Sequence, residues 1–134
     1  MGIKRYVANS DNTITNAYKT NLRTRGTDAN MGASDVLEVF SIYGQASSDS
    51  TELTRILINF PINKISTDRA TGVIPEAGEI NFYLKMHNAR HSQTVPRDLI
   101  LNVQAVSRSW QEGTGLDMDE YKDTVEAGDI GSTW

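Results

Sequence analysis

Two histidines and a run of acidic residues are the side chains of this 134-residue chain whose types and spacing suit metal binding. His87 and His91 are four residues apart, which places them on one face of a helix but gives no such geometry at the end of a strand. They flank a polar stretch where a strand is predicted to end, and the sequence fixes no carboxylate nearby. Because a metal site needs several convergent ligands, we expect two surface histidines.

The acidic run 117–123 reads Asp-Met-Asp-Glu-Tyr-Lys-Asp and has oxygen ligands at alternate positions, as calcium loops do. It fails the EF-hand pattern, because Lys122 stands where glycine is required and Gly128 stands where the bidentate glutamate belongs. Two interpretations stay open: a solvated acidic loop, and a calcium site completed by distant carboxylates. We predict the solvated loop, and therefore no metal and no cofactor.

No set of side chains has the spacing of a catalytic site. The carboxylates available for acid–base chemistry are Glu38, Glu52, Glu79, Glu112 and Asp117. No spacing pairs two of them on one face of an element. The serines lack the Gly-x-Ser-x-Gly turn that exposes a nucleophile, and the glycines of 113–115 do not open a helix that would hold phosphate. We predict that the protein is not an enzyme.

Aromatic side chains that face outward from a strand can stack on sugar rings. The candidates are Tyr43, Tyr83, Trp110, Tyr121 and Trp134. Tyr83 is the best placed, because it occupies an outward position of a predicted strand, whereas a tryptophan at the end of a strand ordinarily packs between sheets. We retain Tyr83, Tyr43 and Trp110 as candidate residues for binding a glycan.

Composition argues against several functions. The formal net charge is −4, and positive charges cluster only at Lys4-Arg5 and at Arg23-x-Arg25, so we expect no nucleic-acid partner. No stretch approaches the ~20 apolar residues of a membrane span, so we expect no membrane partner. The absence of cysteine excludes disulfides and Cys-based zinc sites. The first residues lack the apolar core of a signal peptide, so we expect assembly in a reducing cytoplasm.

The elements that must position these side chains are strands, because apolar residues recur at every second position in four segments. The segments are 37–39, 56–60, 80–84 and 99–103. The residues predicted to face inward on the later strands are Ile56, Ile58 and Phe60, then Ile80, Phe82, Leu84 and Met86, and then Leu99, Leu101, Val103 and Ala105. We also predict a hairpin loop over 44–50, a strand end at Pro61 and a connection over 61–78.

This pattern predicts an all-β fold, an antiparallel β-sandwich of jelly-roll-like form that is incomplete towards the C-terminus. Residues 1–35 are expected to be an irregular N-terminal segment that docks on the core or on a partner, with a disordered tail as the alternative, and residues 36–134 to be the sandwich domain. Four clear strands and one or two weak ones fall short of the roughly eight of a jelly roll. Either partner chains complete the sheets or the chain is the front of a longer one. Since open edges promote aggregation, the shortfall predicts an assembly.

Four short motifs occur in a fixed order: Asn30-x-Gly32-x-x-Asp35-x-Leu37-x-Val39, Arg55-Ile56-Leu57-Ile58-x-Phe60, Ile80-x-Phe82-x-Leu84 and Val103-x-x-Val106-x-x-x-Trp110-x-Glu112-Gly113. Together they resemble DNRLRE-type β-sandwich modules over roughly residues 28–116. The resemblance implies a jelly-roll-like domain of the kind found in microbial surface proteins, some of which are classed as carbohydrate-binding. Residues 131–134 look like the start of the continuation that follows Trp-x-Glu-Gly in that family.

The first 45 residues resemble virion structural proteins of tailed marine bacteriophages, from Ile3-Lys4-Arg5-Tyr6 through Phe40-Ser41-Ile42-Tyr43-Gly44. The resemblance implies a structural component of a virion, such as a decoration, neck or tail/fibre-anchoring protein, assembled in the host cytoplasm. Its partners would be other virion proteins, in a homo-oligomer or multi-copy assembly. The alternative function is a carbohydrate-binding module that holds a host glycan.

Overall fold

A computed structural model describes residues 2–76, 78–92, 98–116 and 131–134. Its regular elements are the strands β1 (Ser10–Thr15), β2 (Ser41–Tyr43) and β3 (Thr51–Asn59) and the helix α1 (Ile62–Ala70). The acidic run 117–123, with Tyr121 and Lys122, lies outside the described residues. An antiparallel sheet with one short helix is consistent with the all-β class that the sequence predicts.

The three strands form one antiparallel sheet in the order β1-β3-β2. Ser10 pairs with Asn59 at one end of β1, Thr15 pairs with Thr54 at the other, and Ser41 of β2 pairs with Leu53. Residues 44–50 join β2 to β3, which confirms the predicted hairpin loop. Gly44 opens this loop at φ 71°, a conformation that glycine adopts without steric cost.

Strand β1 is the most buried element of the fold, although its sequence is mostly polar. The whole stretch 12–15 is buried, and Asn12, Thr13 and Thr15 are fully so. Polar side chains are tolerated there because they are hydrogen-bonded: Thr15 Oγ1 donates to the Leu53 carbonyl (2.8 Å), and Asn12 Oδ1 accepts from the Met31 amide (3.2 Å). The segment 1–35 is therefore more regular than its composition suggests.

The buried apolar side chains gather around β1 and the turn that follows it. They are Ile14, Ala17, Ala29, Met31 and Ile74. An isolated bridge between Ile14 and Asn30 extends pairing to the side of β1 away from β3. The division of the chain at residue 35 stays a prediction, although β1 of the first segment lies in the same sheet as β3 of the second.

Helix α1 lies within the stretch 61–78, which was predicted only as a connection, and the helix itself was not predicted. The helix carries no apolar stripe, so the spacing of apolar residues could not reveal it. Its one buried residue is Asp68. Strand β3 ends at Asn59 and Pro61 stands at the N-cap of α1, so the predicted strand end near Pro61 is confirmed.

The segments 78–92 and 98–116 contain no helix or strand among their described residues. The prediction that the apolar residues of 80–86 and 99–105 face inward is wrong: Phe82 is 65% exposed and Val103 is 76% exposed. Neither segment belongs to a sheet in the described part of the chain, and Tyr83, predicted to face outward, is exposed beside Phe82. Among the described residues, no helix has the length and apolar character needed to cross a bilayer.

Candidate functional site

A buried asparagine joins distant parts of the chain. Asn30 is fully buried, and its Oδ1 atom accepts hydrogen bonds from the backbone amides of Gly115 (3.0 Å) and Gly32 (3.3 Å). The Nδ2 group of Asn30 has no hydrogen-bond partner in the described structure. The two motifs Asn30-x-Gly32 and Trp110-x-Glu112-Gly113, which are far apart in sequence, therefore meet at one side chain.

The backbone approaches Asn30 so closely that glycine is required beside it. A Cβ atom at Gly113 would coincide with the side-chain amide of Asn30, and one at Gly115 would coincide with its backbone carbonyl. A Cβ atom at Gly131 would lie 2.8 Å from Asn30 Nδ2. Since real Cβ atoms do not come this close to other heavy atoms, the absence of a side chain at these positions permits the contact.

The residues that close over β1 form a strap, which we define as residues 111–116 and 131–134. Its two parts bind one another, since Ser132 donates its amide to the Gln111 carbonyl and Gln111 donates its amide to Ser132 Oγ, both at 3.0 Å. The strap is also tied to the body of the fold: Asn12 Nδ2 donates to the Ser132 carbonyl (3.0 Å), and the Ala33 amide donates to the Gly115 carbonyl (2.9 Å).

A carboxylate of the strap binds the edge of β1. Glu112 Oε1 accepts a hydrogen bond of 2.9 Å from the backbone amide of Asp11. This contact brings two acidic side chains together. Partial burial, and secondarily the negative charge of Glu112, raise the pKa of Asp11 above its ordinary value. The strap is therefore held at this point by a hydrogen bond that is opposed by like-charge repulsion.

The last residue of the strap stacks on β3. The guanidinium carbon of Arg55 lies 4.0 Å from the centre of a Trp134 ring, which is a cation–π distance. Arg55 lies on β3, and it is exposed. Its outward position leaves it free to hold Trp134 against the sheet.

A second long-range contact ties residues 2–9, which we call the arm, to α1. Tyr6 Oη donates a hydrogen bond of 2.8 Å to Asp68 Oδ2, and Lys4 Nζ lies 3.5 Å from the same oxygen. The hydrogen bond from Tyr6 lowers the pKa of Asp68 despite its burial, and Lys4 adds to the effect. Burial, followed by the proximity of Asp68, raises the pKa of Tyr6 above 10.0.

Glu52 is the most deeply buried carboxylate of the sheet. Its Oε2 atom accepts a hydrogen bond of 2.9 Å from the Tyr18 amide. The side-chain nitrogen of Gln45, in the orientation that satisfies both groups, lies 2.8 Å from the same oxygen. Because these donors come from the hairpin loop and from the turn after β1, Glu52 fastens both to β3 and has a structural role.

The candidate docking segments are residues 80–86 and 99–106. Neither contains a helix or strand, and both carry many exposed apolar side chains, some of them at consecutive positions. The exposed large apolar residues in them are Phe82, Tyr83, Leu84, Met86, Leu99, Ile100, Leu101, Val103 and Val106. Exposed apolar patches are typical of protein–protein contact sites, which makes these segments candidates for docking.

The residues predicted to bind a glycan lie on three separate segments. Tyr43 ends β2 and is 73% exposed, and Tyr83 lies in the first docking segment and is 86% exposed. Trp110 is half-buried next to the strap. The structure places none of the three on a common strand, and their role stays a prediction.

His87 and His91 lie on an exposed stretch, and His91 Nε2 is 3.3 Å from Asn88 Nδ2. Within the described ranges, no group of three or more His, Cys, Asp or Glu residues has the arrangement of a metal site. The expected absence of a metal and of a cofactor stays a prediction, because the acidic run 117–123 lies outside these ranges.

Sequence reasoning did not identify Asn30, Asp68 or Glu112 as contact residues. The motifs Asn30-x-Gly32 and Glu112-Gly113 carried a signal, since a glycine next to a polar residue often marks close backbone approach. The pairing of Asp68 with Tyr6 had no signal in the sequence, because Asp68 belongs to no motif and lies 62 residues from Tyr6.

No protein family, no curated protein and no solved structure matches this chain. The resemblance to DNRLRE-type modules therefore depends on the motifs quoted above. Function has to be argued from the geometry of the docking segments, the strap and the arm.

Proposed function

We propose that this protein is a structural component of a bacteriophage virion that acts by protein–protein docking. The observation that carries the proposal is the exposure of many large apolar side chains in the docking segments. Each large apolar side chain that a partner covers contributes about 1.5–3 kcal/mol, so several together supply the free energy of a stable contact. In this proposal neighbouring subunits complete the jelly-roll-like sandwich that the sequence pattern predicts.

The resemblance of the first 45 residues to virion proteins of tailed phages supports the proposal that this docking takes place in a virion. A virion offers many copies of the same neighbours, which suits a chain that presents strand-like segments to partners. The proposal does not require an active site, and a decoration, neck or tail/fibre-anchoring position would each provide such neighbours.

The test is the mass of the purified chain in solution, measured by sedimentation and native mass spectrometry. Phe82→Lys places a charge on the exposed apolar face, and Asn81→Lys places the same charge on the neighbouring residue. We expect the unmodified chain and the Asn81→Lys variant to self-associate, and the Phe82→Lys variant to be monomeric with an unchanged circular dichroism spectrum. Stable monomers for all three chains would contradict docking between copies.

Particle association provides a second readout that does not depend on self-association. A tagged chain, expressed during infection by the phage that encodes it, should band with purified particles in a density gradient. The Phe82→Lys chain should band with them far less. If the tagged chain is absent from banded particles, the virion proposal is wrong.

Carbohydrate binding is a second candidate function, favoured by the exposure of Tyr83 and Tyr43. An exposed ring can stack on a sugar. Tyr83 and Phe82 are neighbours in sequence, and neighbouring side chains of a strand point to opposite faces, so a strand would present them on different faces. Glycan-array binding that is lost in Tyr83→Ala and retained in Phe82→Lys would support this function. Absence of binding to every glycan on the array would contradict the carbohydrate-binding function.

A further inference from the structure

Residues 131–134, with the sequence Gly-Ser-Thr-Trp, contact the fold as a bound peptide would. In sequence they are separated from the first part of the strap by residues 117–130, so the two parts do not meet merely because they are neighbours in the chain. Three of the four residues are held by contacts that favour their particular type. These contacts therefore indicate a recognition site for a short peptide.

Ser132 is held through both its backbone and its side chain. Its amide donates to the Gln111 carbonyl, its Oγ atom accepts from the Gln111 amide, and its carbonyl accepts from Asn12 Nδ2, all at 3.0 Å. Asn12 is oriented for this contact, because its Oδ1 atom accepts from the Met31 amide. The backbone bonds suit any peptide, whereas the bond to Oγ favours a hydroxyl side chain at this position.

Gly131 lies where a larger residue would collide with the fold. Its φ is 147°, in a region that side chains rarely adopt. A Cβ atom there would lie 2.5 Å from the Cα atom of Gly113 and 2.8 Å from Asn30 Nδ2. Asn30 is fully buried, so it has little room to move away. The first position of the peptide therefore has to be glycine.

Trp134 provides the large apolar group of the segment. The guanidinium carbon of Arg55 lies 4.0 Å from the centre of a Trp134 ring, and Arg55 is exposed, so a ring can reach it from solvent. A cation is attracted to the face of an aromatic ring and most strongly to that of tryptophan, so an aliphatic side chain would not replace it. The last position of the peptide therefore favours an aromatic residue.

We propose that a peptide site, formed by Asn12, Asn30, Arg55, Gln111 and Gly113, binds the sequence Gly-Ser-Thr-Trp, and that residues 131–134 of a neighbouring copy can occupy it in place of the chain's own. The inference rests on the proposed multi-copy assembly, in which each neighbour carries the same segment. Exchange of identical segments between copies keeps every contact described above, so it links the copies without loss of an interaction.

The first experiment adds the segment to the full-length chain as a separate peptide. The peptide is acetyl-Gly-Ser-Thr-Trp-amide, and the control acetyl-Ala-Ser-Thr-Trp-amide differs from it by one methyl group. The receiving chain is Gly131→Ala, whose own segment should be expelled by the collision with Asn30 and Gly113. Gly78→Ala is its matched control, because Gly78 also has a positive φ but nothing lies within 4 Å of the added methyl group.

We expect the glycine peptide to bind Gly131→Ala at least tenfold more tightly than it binds Gly78→Ala, in which the tethered segment competes for the site. In an NMR titration the Gln111 backbone amide and the Asn12 side-chain amide should shift. The alanine peptide should shift neither signal. If the glycine peptide does not bind folded Gly131→Ala, the peptide site is wrong.

A second receiving chain keeps the test decisive if Gly131→Ala does not fold. Trp134→Ala removes the ring that stacks on Arg55 without a change in backbone conformation, and the glycine peptide should bind it more tightly than it binds the unmodified chain. Adding Arg55→Ala to either receiving chain should weaken binding of the peptide, and adding Arg90→Ala, on an exposed segment, should not. Equal binding in the presence of Arg55→Ala and Arg90→Ala would contradict recognition of the ring.

The second experiment tests whether another copy supplies the segment. Gly131→Ala has a vacant site and a segment that cannot enter one, whereas Arg55→Ala has an intact segment and a weakened site. Both chains also carry Phe82→Lys, which removes association through the docking segments. In native mass spectrometry the mixture should form heterodimers at a concentration at least tenfold below that at which either chain associates alone. Absence of this gain would show that copies do not exchange residues 131–134.

The two proposals fail in different ways. If Phe82→Lys weakens self-association of the unmodified chain while the peptide does not bind and the mixture gains nothing, docking stands and the peptide site is wrong. If the peptide binds and the heterodimers form while Phe82→Lys has no effect on self-association, the peptide site stands and docking through residues 80–86 is wrong.

Discussion

The Oδ1 atom of Asn30 accepts a hydrogen bond of 3.0 Å from the backbone amide of Gly115, which lies 85 residues further along the chain. The contact is fully buried on the asparagine side and is surrounded by glycines at 32, 113 and 131. It closes the strap on β1, and it brings together two of the four sequence motifs quoted above, Asn30-x-Gly32 and Trp110-x-Glu112-Gly113.

Replacing Asn30 should open this closure. Asn30→Ala leaves the amides of Gly32 and Gly115 without their acceptor, and a buried unsatisfied group costs about 1–3 kcal/mol. We expect the free energy of unfolding, measured in urea, to fall by about 2 kcal/mol. The control Asn81→Ala alters an exposed asparagine and should change it little. Equal values for the two variants would show that the Asn30 contact does not stabilise the fold.

Removing the carboxylate of Asp68 should free the arm. Asp68→Ala deletes the group that both Tyr6 and Lys4 contact, so the arm loses its attachment to α1. Trypsin should then cut after Lys4 and Arg5 several-fold faster, while cleavage after the exposed Lys85 serves as an internal reference. The control Asp98→Ala should leave both rates unchanged. An unchanged rate at Lys4 in Asp68→Ala would contradict docking of the arm.

The arm should stay docked over a limited range of pH. The pKa of Asp68 is lowered, so its contribution to stability is present above pH 3.8 and is lost as the pH falls through the folded value. The pKa of Tyr6 is raised, so its contribution is present below pH 10.0 and is lost as the pH rises through the folded value. In an absorbance titration at alkaline pH, the tyrosines that ionise above the ordinary pKa should be one fewer in Tyr6→Phe than in the unmodified chain. Identical late-titrating amplitudes would contradict this assignment.

Neutralising Asp11 should stabilise the closed strap at neutral pH. Burial and Glu112 raise the pKa of Asp11, so ionisation of this group opposes folding at pH values above its folded pKa. Asp11→Asn should therefore have a higher melting temperature than the unmodified chain at pH 7. The difference in melting temperature should shrink as the pH falls towards 3.8. Asp49→Asn, in the exposed hairpin loop, is the control. A lower melting temperature for Asp11→Asn at pH 7 would show that ionised Asp11 stabilises the fold, contrary to this prediction.

Stacking of Trp134 on Arg55 should be visible in fluorescence. The chain has two tryptophans, so Trp110→Phe isolates the emission of Trp134. In that background Arg55→Ala should shift the emission to longer wavelength and reduce stability by about 0.5–1 kcal/mol, the usual strength of an exposed cation–π pair. Arg90→Ala, on an exposed segment, should do neither. Emission that is unchanged in Arg55→Ala would exclude the contact in solution.

Alternation of apolar and polar residues was sufficient to predict β3 and the hairpin loop before it. Both are local features: Ile56 and Ile58 follow the period of a strand, and Gly44 begins the loop. The same reasoning missed α1 and allowed only weak strands near the N-terminus, where β1 lies, because polar residues dominate both elements. Asn12, Thr13 and Thr15 are buried only because their hydrogen-bond partners arrive from other parts of the chain.

Period-2 spacing also grouped Phe82 with Leu84, and Leu101 with Val103, but predicted the wrong environment for them. Spacing reports which side chains share a face, whereas burial depends on a second layer that local sequence does not specify. The glycan-binding candidates Tyr43, Tyr83 and Trp110 illustrate the same limit, since they lie on three separate segments.

Local residue patterns thus predicted the β-rich class of this protein and the hairpin loop between β2 and β3. Contacts between distant residues established the rest: the burial of β1, the closure of the strap on Asn30, and the attachment of the arm at Asp68. The physical reason is that backbone periodicity acts over a few neighbouring residues, whereas a buried polar group needs partners that only the folded chain brings within hydrogen-bond distance.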